Sequence, residues 1–314
     1  MPTTHIVPLN RQTLHGHFSP ELQPAIRIAA GDTLIAQTLD ANWYTAPIVL
    51  EPEFSATLFE PRQPELDDGH AMIGPVYIEG AKAGQTLVVQ IKALKPVNWG
   101  WSATGGPTNW INDHFGVNQH AHRIWHKWDL DTELMLGRDE KGHTITLRPF
   151  LGLIGMPPPD SGNHSTVPPR IWGGNLDCKS LVAGSTLYLP IPVDGGLLSF
   201  GDGHAAQGDG EVSGIALECG MERVELQIDV RDDFSITAPV ANTPDGWLTL
   251  ALNSDLNVAA IEALDSMVAL MTRLYHIERH EALSLASMAV DLRITQIANR
   301  VFGVHAVLPH GAIR

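Results

Sequence analysis

The sequence predicts a mainly β protein with smaller α+β parts and with helices near its C-terminus. Short apolar runs separated by glycine- and proline-containing turns dominate residues 1–250, which is typical of strands. After Asp255 the apolar period changes to that of a helix. We therefore expect a β-rich region over residues 1–250, which has room for two interleaved β subdomains and carries the functional residues. A helical segment over residues 251–314 would pack on it.

The clearest predicted strand runs from Arg223 to Val230. Its apolar side chains alternate strictly with charged and polar ones, so one face would be buried and the other would face solvent. This alternation also specifies the register of the strand, because a shift by one residue would bury the polar face.

A short pattern, Ala-Gly-X-Thr-Leu, occurs at Ala83–Ile91 and Ala183–Ile191, and a shorter version occurs at Ala30–Ala36. Its glycine suits the positive φ of a tight turn, and the following apolar residues suit a strand. Either a common turn-to-strand solution or a duplication would give this pattern. The unequal spacings and the lack of a regular repeat period favour the first.

Two helices are predicted near the C-terminus. The first would begin after Asn253, Ser254 or Asp255 as its N-cap and end near Tyr275. A second apolar series between Leu285 and Ile297 predicts another helix, after which Gly303 and Pro309 end the regular structure. The buried face of the first helix is expected to carry Val258, Ile261, Leu264, Val268 and Met271.

Composition and charge exclude several classes of protein. The chain has 35 acidic against 20 basic residues and a formal net charge of −15, so nucleic acid and anionic membranes are poor partners. The first residues lack the features of a secretory signal, and no apolar run is long enough to span a membrane. We therefore expect a cytoplasmic protein. Two cysteines, Cys178 and Cys219, exclude a disulfide scaffold.

The densest group of chemically active residues lies in Gly201–Glu211, which reads GDGHAAQGDGE. A glycine-rich loop can turn several polar side chains toward one point, and carboxylate and imidazole groups together suit a divalent metal. If the chain is extended from Asp209, the carboxylates of Asp209 and Glu211 share one face. We predict a catalytic or metal-binding role for this loop, which contains Asp202, His204, Gln207, Asp209 and Glu211.

Two further segments are candidates for the same site. The segment Trp172–Lys179 would bring Asn175 and Asp177 close to the first loop, although an Asx-rich turn between strands would have the same sequence. The segment Asp67–Pro75 repeats the Asp-Gly-His tripeptide of the first loop, so His70 is a candidate for lining the site.

Other histidines have competing interpretations. His15 and His17 would lie on one strand face, either as a metal-ligand pair or, preferably, as part of an exposed N-terminal strand. His276 and His280 lack the HExxH order of zinc proteases, so they mark a helix boundary instead.

Two aromatic or proline-rich stretches, Trp99–Trp128 and Met156–Trp172, would rim a pocket or subunit contact, or simply pack over a sheet edge. The first of them carries His114, His120, His122 and His126.

At these loops the sequence resembles the acetamidase/formamidase family. Its members share a GGN-x-D segment, here Gly173–Asp177, followed by GD-x-HA-x-QGD-x-E, here Gly201–Glu211. The likeness extends through Gly69–Ile91, Pro149–Pro159 and Met288–Asn299, and so covers most of the chain.

The resemblance implies a mainly β fold, with a β-sandwich or barrel core, and hydrolysis of formamide, acetamide and related small amides. Many relatives carry Cys where this chain has Ser213, so a conserved cysteine nucleophile is absent at that point. This departure favours activated water as the nucleophile.

The residues suggest a mechanism for such a reaction. A divalent metal, zinc or calcium, bound by His204, Asp177 and Asp202 would activate water and polarise the amide. Glu211 or Asp209 would act as general base and later as acid. Gln207 and Asn175 would donate to the substrate carbonyl, and His70 would line the substrate site. Because enzymes of this kind are usually symmetric oligomers, a dimer or larger homo-oligomer is expected.

Two other functions remain open from the sequence. A cysteine amidase would use Cys178 or Cys219 together with a neighbouring acid and Lys179. A non-enzymatic β-rich module would bind a small ligand or calcium. The absence of a G-x-S-x-G elbow, a P-loop and a GxGxxG fingerprint argues against serine hydrolases of the α/β type, nucleotide triphosphatases and dinucleotide enzymes.

Overall fold

The computed structural model of the chain describes residues 2–106, 110–118, 123–299 and 301–314. Within these residues the chain forms twenty strands and three helices, numbered in chain order. They are β1 (Thr4–Val7), β2 (Leu14–His15), β3 (Ile26–Ala29), β4 (Thr33–Thr38), β5 (Met72–Glu79), β6 (Thr86–Pro96), β7 (Trp99–Thr104), α1 (Trp110–His114), β8 (Ile124–Asp131), β9 (Leu136–Asp139), β10 (Thr144–Thr146), β11 (Phe150–Gly155), β12 (Gly173–Asn175), β13 (Thr186–Pro190), β14 (Leu198–Ala206), β15 (Leu217–Cys219), β16 (Met221–Arg231), β17 (Val240–Asn242), β18 (Gly246–Asn253), α2 (Leu256–Tyr275), α3 (Arg279–Ala289), β19 (Asp291–Gln296) and β20 (Phe302–Pro309).

The strands form two sheets. The first has the order β1-β4-β16-β6-β13-β17-β18-β20-β19, and the second has β10-β9-β8-β7-β15-β14-β11-β12, with β5 beside β14 and with β2 and β3 on β5. One hydrophobic core joins them, with Val89 and Leu226 from the first sheet and Leu151 and Phe200 from the second. The predicted mainly β fold is confirmed, and it is a sandwich because neither strand order closes into a barrel over the described residues.

The sequence patterns of the first sheet lie where alternation places them. In β16 the apolar residues Val224, Leu226 and Ile228 are buried, whereas their charged and polar neighbours are not. The three Ala-Gly-X-Thr-Leu segments all enter this sheet, as β4, β6 and β13. Their turn glycines take the positive φ that the pattern predicts, and β6 and β13 pair directly with each other.

The first C-terminal helix is α2, and Asp255 is its N-cap, with a side chain that accepts from the backbone N–H groups of Asn257 and Val258. Its predicted buried face is partly wrong, because Val258 and Ile261 are exposed. The face that packs on β18 and β20 is built on Ala259 and Ala263, whose small side chains allow helix and sheet to approach closely. None of the described helices has the length and apolarity that crossing a membrane requires.

The second C-terminal helix is shorter than predicted. α3 ends at Ala289, and the remaining apolar residues Leu292 and Ile294 lie in β19, an edge strand paired with β20. Residues 291–296 form a strand because they pair with β20, and this pairing outweighs the weak helical spacing of their apolar residues. The sequence did not reveal this pairing. The boundary predicted around His276 is confirmed, because His276 is the left-handed C-cap of α2 and His280 lies in α3.

The histidines near the N-terminus are buried, so the exposed strand preferred for His15 and His17 is wrong. His15 donates through Nδ1 to the carbonyl oxygen of His17 (2.8 Å), and its Nε2 lies 3.0 Å from the Ser199 hydroxyl. Both ring nitrogens of His15 are therefore engaged, which leaves no metal-ligand pair with His17.

Two buried histidines oppose the stability of the fold in mild acid. Burial lowers the pKa of His15 and of His305 to about 4 in each case. The unfolded chain binds a proton below about 6.5 whereas the fold does not, so stability is complete above that pH and is lost as the pH falls toward 4. Each histidine contributes about 3 kcal/mol to this loss.

We expect His305→Asn to gain stability relative to the parent as the pH falls, so the difference between their free energies of unfolding, measured by urea titration, should change by about 3 kcal/mol between pH 7.5 and 4. The difference isolates His305, because the raised pKa values of Asp40, Glu211 and Asp177 act in the opposite direction in both proteins. Asparagine keeps a polar partner for the Thr295 hydroxyl, which lies 2.8 Å from Nδ1 of His305. An equal pH dependence of the free energy of unfolding in the parent and the variant would contradict the lowered pKa of His305.

Candidate active site

The candidate active site lies on the central strands of the second sheet. Every residue of β14 is buried, including Asp202 and His204. β11 pairs with β14 on one side and with β12 on the other, which places Phe150 opposite His204 and Leu153 opposite Asn175. The structure thus brings together the two segments from which the sequence predicted a common site.

Gly152 of β11 makes room for this convergence. A Cβ at this position would lie 2.7 Å from Oδ2 of Asp202, 2.7 Å from Cε1 of His204 and 2.9 Å from Oδ1 of Asp177. Real Cβ atoms essentially never approach other atoms so closely. The side chains of Asp202, His204 and Asp177 therefore converge over Gly152, which has no side chain of its own.

Three acidic residues of the site have backbone conformations that are uncommon outside glycine. Asp177, Asp202 and Glu211 have φ values of 48°, 54° and 44°. Such conformations cost of order 1–3 kcal/mol each and concentrate at functional sites. The surrounding fold supports this strain at all three carboxylates, which is evidence that their directions matter.

His204 is held from several sides. Its Nε2 lies 3.3 Å from Oδ1 of Asp202 and 3.3 Å from Oε2 of Glu218, and its Nδ1 lies 3.0 Å from Oε1 of Gln207. The ring also packs edge-on against Phe150. Burial alone would lower the pKa of His204, but the carboxylates of Glu218 and Asp202 raise it well above its usual value.

The carboxylates of the site have contrasting protonation behaviour. Burial raises the pKa of Glu211 to about 8, and burial together with the Glu211 carboxylate raises that of Asp177 well above its usual value. Burial also opposes ionisation of Asp202, but His204 outweighs it and lowers the pKa of Asp202 to about 2. An additional positive charge among them would favour the ionised form of every carboxylate.

Several oxygen atoms of the site are buried without a hydrogen-bond partner. They belong to Asp177 (Oδ1), Glu211 (Oε2), Glu218 (Oε2) and Asn175 (Oδ1). Leaving such an atom unpaired costs about 1–3 kcal/mol, so their concentration at one place indicates a site for a ligand that satisfies them.

These atoms surround a cavity of about 160 Å³. This volume is below the range typical of pockets for drug-sized ligands, so the cavity suits a very small molecule. Its lining consists of Ala41, Asn42, His70, Trp101, Arg123, Asn175, Asp177, Asp202, His204, Glu211, Gly214, Ile215, Glu218 and Asn299.

Two groups of side chains at the cavity have the donor atoms and spacing to hold a metal ion. One contains Asp177, His204 and Glu211, the other contains Asp202, His204 and Glu218, and the ligand atoms within each group lie within 4.8 Å of one another. The predicted set of His204, Asp177 and Asp202 is therefore divided between the two, and each group is completed by a glutamate.

The structure places Asp209 and Gln207 outside the lining of this cavity. Asp209 lies outside the cavity wall, and its carboxylate pairs with Nζ of Lys179 at 3.2 Å. The alternation that placed it beside Glu211 fails because the chain turns here instead of remaining extended. Gln207 donates to the backbone oxygen of Asp177 (2.8 Å) and contacts His204, so it positions the site rather than binding the substrate carbonyl.

Asn175 and His70 both line the cavity. The Nδ2 of Asn175 donates to the carbonyl oxygen of Val167 (3.3 Å), which leaves its buried Oδ1, an acceptor, without a partner, where the sequence suggested a donor. His70 is oriented by the Thr166 hydroxyl, 2.7 Å from its Nδ1.

The sequence did not reveal several residues of the cavity, of which Glu218, Asn299 and Trp101 carry the clearest roles. Glu218 is a charged residue within the apolar stretch Ile215–Cys219, and this isolation was the available signal. Asn299 ends a segment that resembles the family, but no motif marks it as functional. Trp101 is fully buried and donates to Oδ2 of Asp40 (2.6 Å).

The histidines of the stretch Trp99–Trp128 are dispersed. His126 pairs with Glu140 at 3.1 Å, and His114 packs on Phe115. His120 and His122 lie outside the described residues. From the stretch Met156–Trp172, Thr166 and Val167 support the site residues His70 and Asn175.

A turn near the C-terminus completes the site. Buried Gln296 accepts from the backbone N–H groups of Ala298 and Asn299 and donates to the carbonyl oxygen of Val301. This turn presents Nδ2 of Asn299 to Oδ2 of Asp177 at 2.6 Å, whereas Oδ1 of Asp177 has no hydrogen-bond partner.

Removal of the Asn299 donor should lower turnover. We expect Asn299→Ala to reduce kcat about 3- to 10-fold with a smaller change in KM, because a hydrogen bond between uncharged groups is worth about 0.5–1.5 kcal/mol and the raised pKa of Asp177 favours its neutral form. The kcat of Asn299→Asp should fall further, although the two side chains are equal in size, because this change places a second carboxyl group beside Asp177. Asn257→Ala, which alters an exposed asparagine in the first turn of α2, is the matched control. A kcat within twofold of the parent would contradict this role.

The fold and the cavity together define a mainly β sandwich protein with a buried acidic and histidine-containing site. The model of the Acetamidase/Formamidase family matches residues 4–163 and 160–309, so the chain belongs to that family. The resemblance inferred from the two loop motifs is thereby confirmed.

Relatives and solved structures agree with this assignment. A formamidase of Methylophilus methylotrophus is 25% identical over 266 residues, covering 69% of this chain, and an acetamidase of Mycolicibacterium smegmatis is 27% identical over 212 residues, covering 48%. The chain spans 63% and 51% of the length of these relatives. The crystal structure of an acetamidase from Bacillus halodurans is 26% identical, with a TM-score of 0.81 and 97% of each chain covered.

Proposed function

We propose that this protein hydrolyses the carboxamide group of a small primary amide, of the formamide or acetamide type, to a carboxylate and ammonia. The observation that carries the proposal is the small buried cavity lined by unpartnered carboxylate and amide oxygens. Family membership supports it, since the matched relatives are a formamidase and an acetamidase.

The polar atoms of the cavity suit a carboxamide. Oδ1 of Asn175 is an acceptor for an N–H of the substrate amide, which would satisfy an atom that is otherwise unpaired. The volume of about 160 Å³ leaves little room beyond the carboxamide and a short acyl group. Orientation by fixed partners lowers the barrier because the reacting groups are held before reaction.

A divalent metal, zinc or calcium, fits the donor set. Asp202, His204 and Glu218 would hold it, which leaves Glu211 free of the ion for proton transfer. When bound, such an ion would make water more acidic and polarise the substrate carbonyl.

The reaction itself requires two proton movements. The oxygen of water attacks the carbonyl carbon and loses a proton, and the C–N bond then breaks as the nitrogen gains one. Glu211 is the group in the cavity best suited to accept and return this proton, because burial raises its pKa to about 8, close to neutral pH. His204 is fixed in orientation by Gln207, Asp202 and Glu218, so its ring is positioned before a substrate binds.

A thiol nucleophile has less support. Cys178 and Cys219 are fully buried, and among the described residues neither forms part of the cavity wall. Burial raises the pKa of the Cys178 thiol to about 12 and raises that of Cys219 further, which disfavours the thiolate that such an enzyme needs.

Ammonia release from formamide, acetamide and propionamide, before and after dialysis against a chelator, tests the proposal. We expect turnover of at least one amide, loss of activity on chelation and recovery on adding back zinc or calcium, with metal analysis of the purified protein. Full activity after exhaustive removal of metal would rule out the metal-assisted mechanism. If no ammonia is released from any of these amides, a ligand-binding module would be favoured instead.

A further inference from the structure

A second, larger cleft lies outside the cavity and has a volume of about 770 Å³. It exceeds the cavity severalfold and falls in the range of pockets that bind ligands much larger than acetamide. Its lining is mostly apolar or aromatic and consists of Ala41, Asn42, Trp43, Tyr44, Phe54, Ser55, Ala56, Leu58, Arg62, Gly69, His70 and Val167.

The cleft and the cavity are adjacent. Ala41, Asn42 and His70 line both of them, so these three residues separate the small polar cavity from the larger apolar cleft. A substrate that spans the two would pass between these side chains, with its carboxamide in the cavity and its longer substituent in the cleft.

The inner wall of the cleft is rigidly built. The indole N–H of Trp43 donates to the carbonyl oxygen of Gly69 at 2.8 Å. The guanidinium groups of Arg62 and Arg11 lie 4.4 Å and 5.4 Å from the ring centroid of Trp43, and both pair with the buried carboxylate of Asp67. Such prior ordering lowers the entropic cost of binding.

The outer wall is a hairpin-like segment, Tyr44–Leu58. Isolated bridges join Tyr44 to Leu58 and Val49 to Ser55, which folds the segment back on itself. Its side chains at the cleft include Phe54 and Leu58, which are 42% and 41% exposed, and the Phe54 ring stacks on Trp125 at 4.5 Å. These half-exposed apolar groups would lose contact with water if an apolar ligand occupied the cleft.

We propose that this cleft is a binding subsite for an apolar, preferably aromatic, substituent of larger primary amides, such as arylacetamides. The inference rests on the proposed amide hydrolysis and extends its substrate class. Short amides would use the inner cavity alone, whereas an arylacetamide would place its carboxamide in the cavity and its ring against the half-exposed side chains of Phe54 and Leu58.

The test compares kcat/KM for phenylacetamide with that for acetamide. We expect phenylacetamide to be hydrolysed, and Leu58→Asp and Phe54→Ala to lower the phenylacetamide-to-acetamide ratio at least tenfold, mainly through KM. The matched control is Phe115→Ala, since this side chain is 70% exposed and lies outside the cleft lining. The control should leave the ratio unchanged.

The outcomes separate this inference from the proposed function. The subsite would be overturned, and the proposed function kept, if the protein hydrolyses acetamide but not phenylacetamide. The same conclusion would follow if the Leu58 and Phe54 variants change the phenylacetamide-to-acetamide ratio of kcat/KM by less than twofold. If no amide is hydrolysed, the function fails, and phenylacetamide binding followed by tryptophan fluorescence decides the subsite. Binding weakened tenfold by Leu58→Asp would support it, and no binding would overturn it.

Discussion

Glu211→Gln should lower kcat about a thousandfold while leaving the fold intact, within the range that a positioned acid–base group contributes. Glutamine has the size of glutamate but accepts no proton at neutral pH. The carboxyl group is buried against Asp177 and has a pKa of about 8, so the fold gains nothing from its charge. We therefore expect the melting temperature of the variant to equal or exceed that of the parent.

Asp209→Asn is the matched control for this variant, because it makes the same chemical change two residues away. Its carboxylate pairs with Lys179 and lies outside the cavity wall, so turnover should stay within a few-fold of the parent. Near-normal ammonia release by Glu211→Gln, or an equal loss in both variants, would remove Glu211 from the proton-transfer role.

Gly152→Ala should abolish most activity by adding a single methyl group. The added carbon would lie under 3 Å from atoms of Asp202, His204 and Asp177, so at least one of these side chains must move. Overpacking of this kind typically costs about 1–3 kcal/mol of stability. Displacement of catalytic groups by about 1 Å lowers the rate on the order of a hundredfold.

Gly208→Ala is the control for this second variant. No atom lies within 4 Å of the Cβ it would add, and its backbone is outside the left-handed region, although it belongs to the same loop as Glu211. Ammonia release and thermal unfolding should both remain close to the parent values. A Gly152→Ala protein with full turnover would show that the three side chains are not held as tightly as the distances indicate.

Much of the fold was readable from the sequence because its signals are local. Alternation located β16, the N-cap at Asp255 located the start of α2, and glycine-rich turns located the two segments that meet at the site. Helical period alone was not sufficient for α3 and β19, since pairing with β20 determines where the helix ends.

The site was predicted less completely because two of its residues, Glu218 and Asn299, are brought there by long-range contacts. Glu218 reaches His204 through the pairing of β14 with β15, and Asn299 reaches Asp177 across 122 positions of sequence. Asp209 and Glu211 were treated as equivalent because an extended chain would place them on one face. Because Glu211 has a positive φ, the chain is not extended there and the two carboxylates do not share a face.

The turn that follows β19 ties the acidic loop to a segment that is distant in the sequence. The backbone of Gly210 bonds to Thr295 and Ile297, and the Asn299 side chain bonds to Asp177. The loop that carries Glu211 is thus anchored by long-range contacts rather than by its own neighbours. A variant that disrupts β19 would keep every acidic group and lose the contacts that hold them in position, so the edge of one sheet controls the order of a centre built on the other.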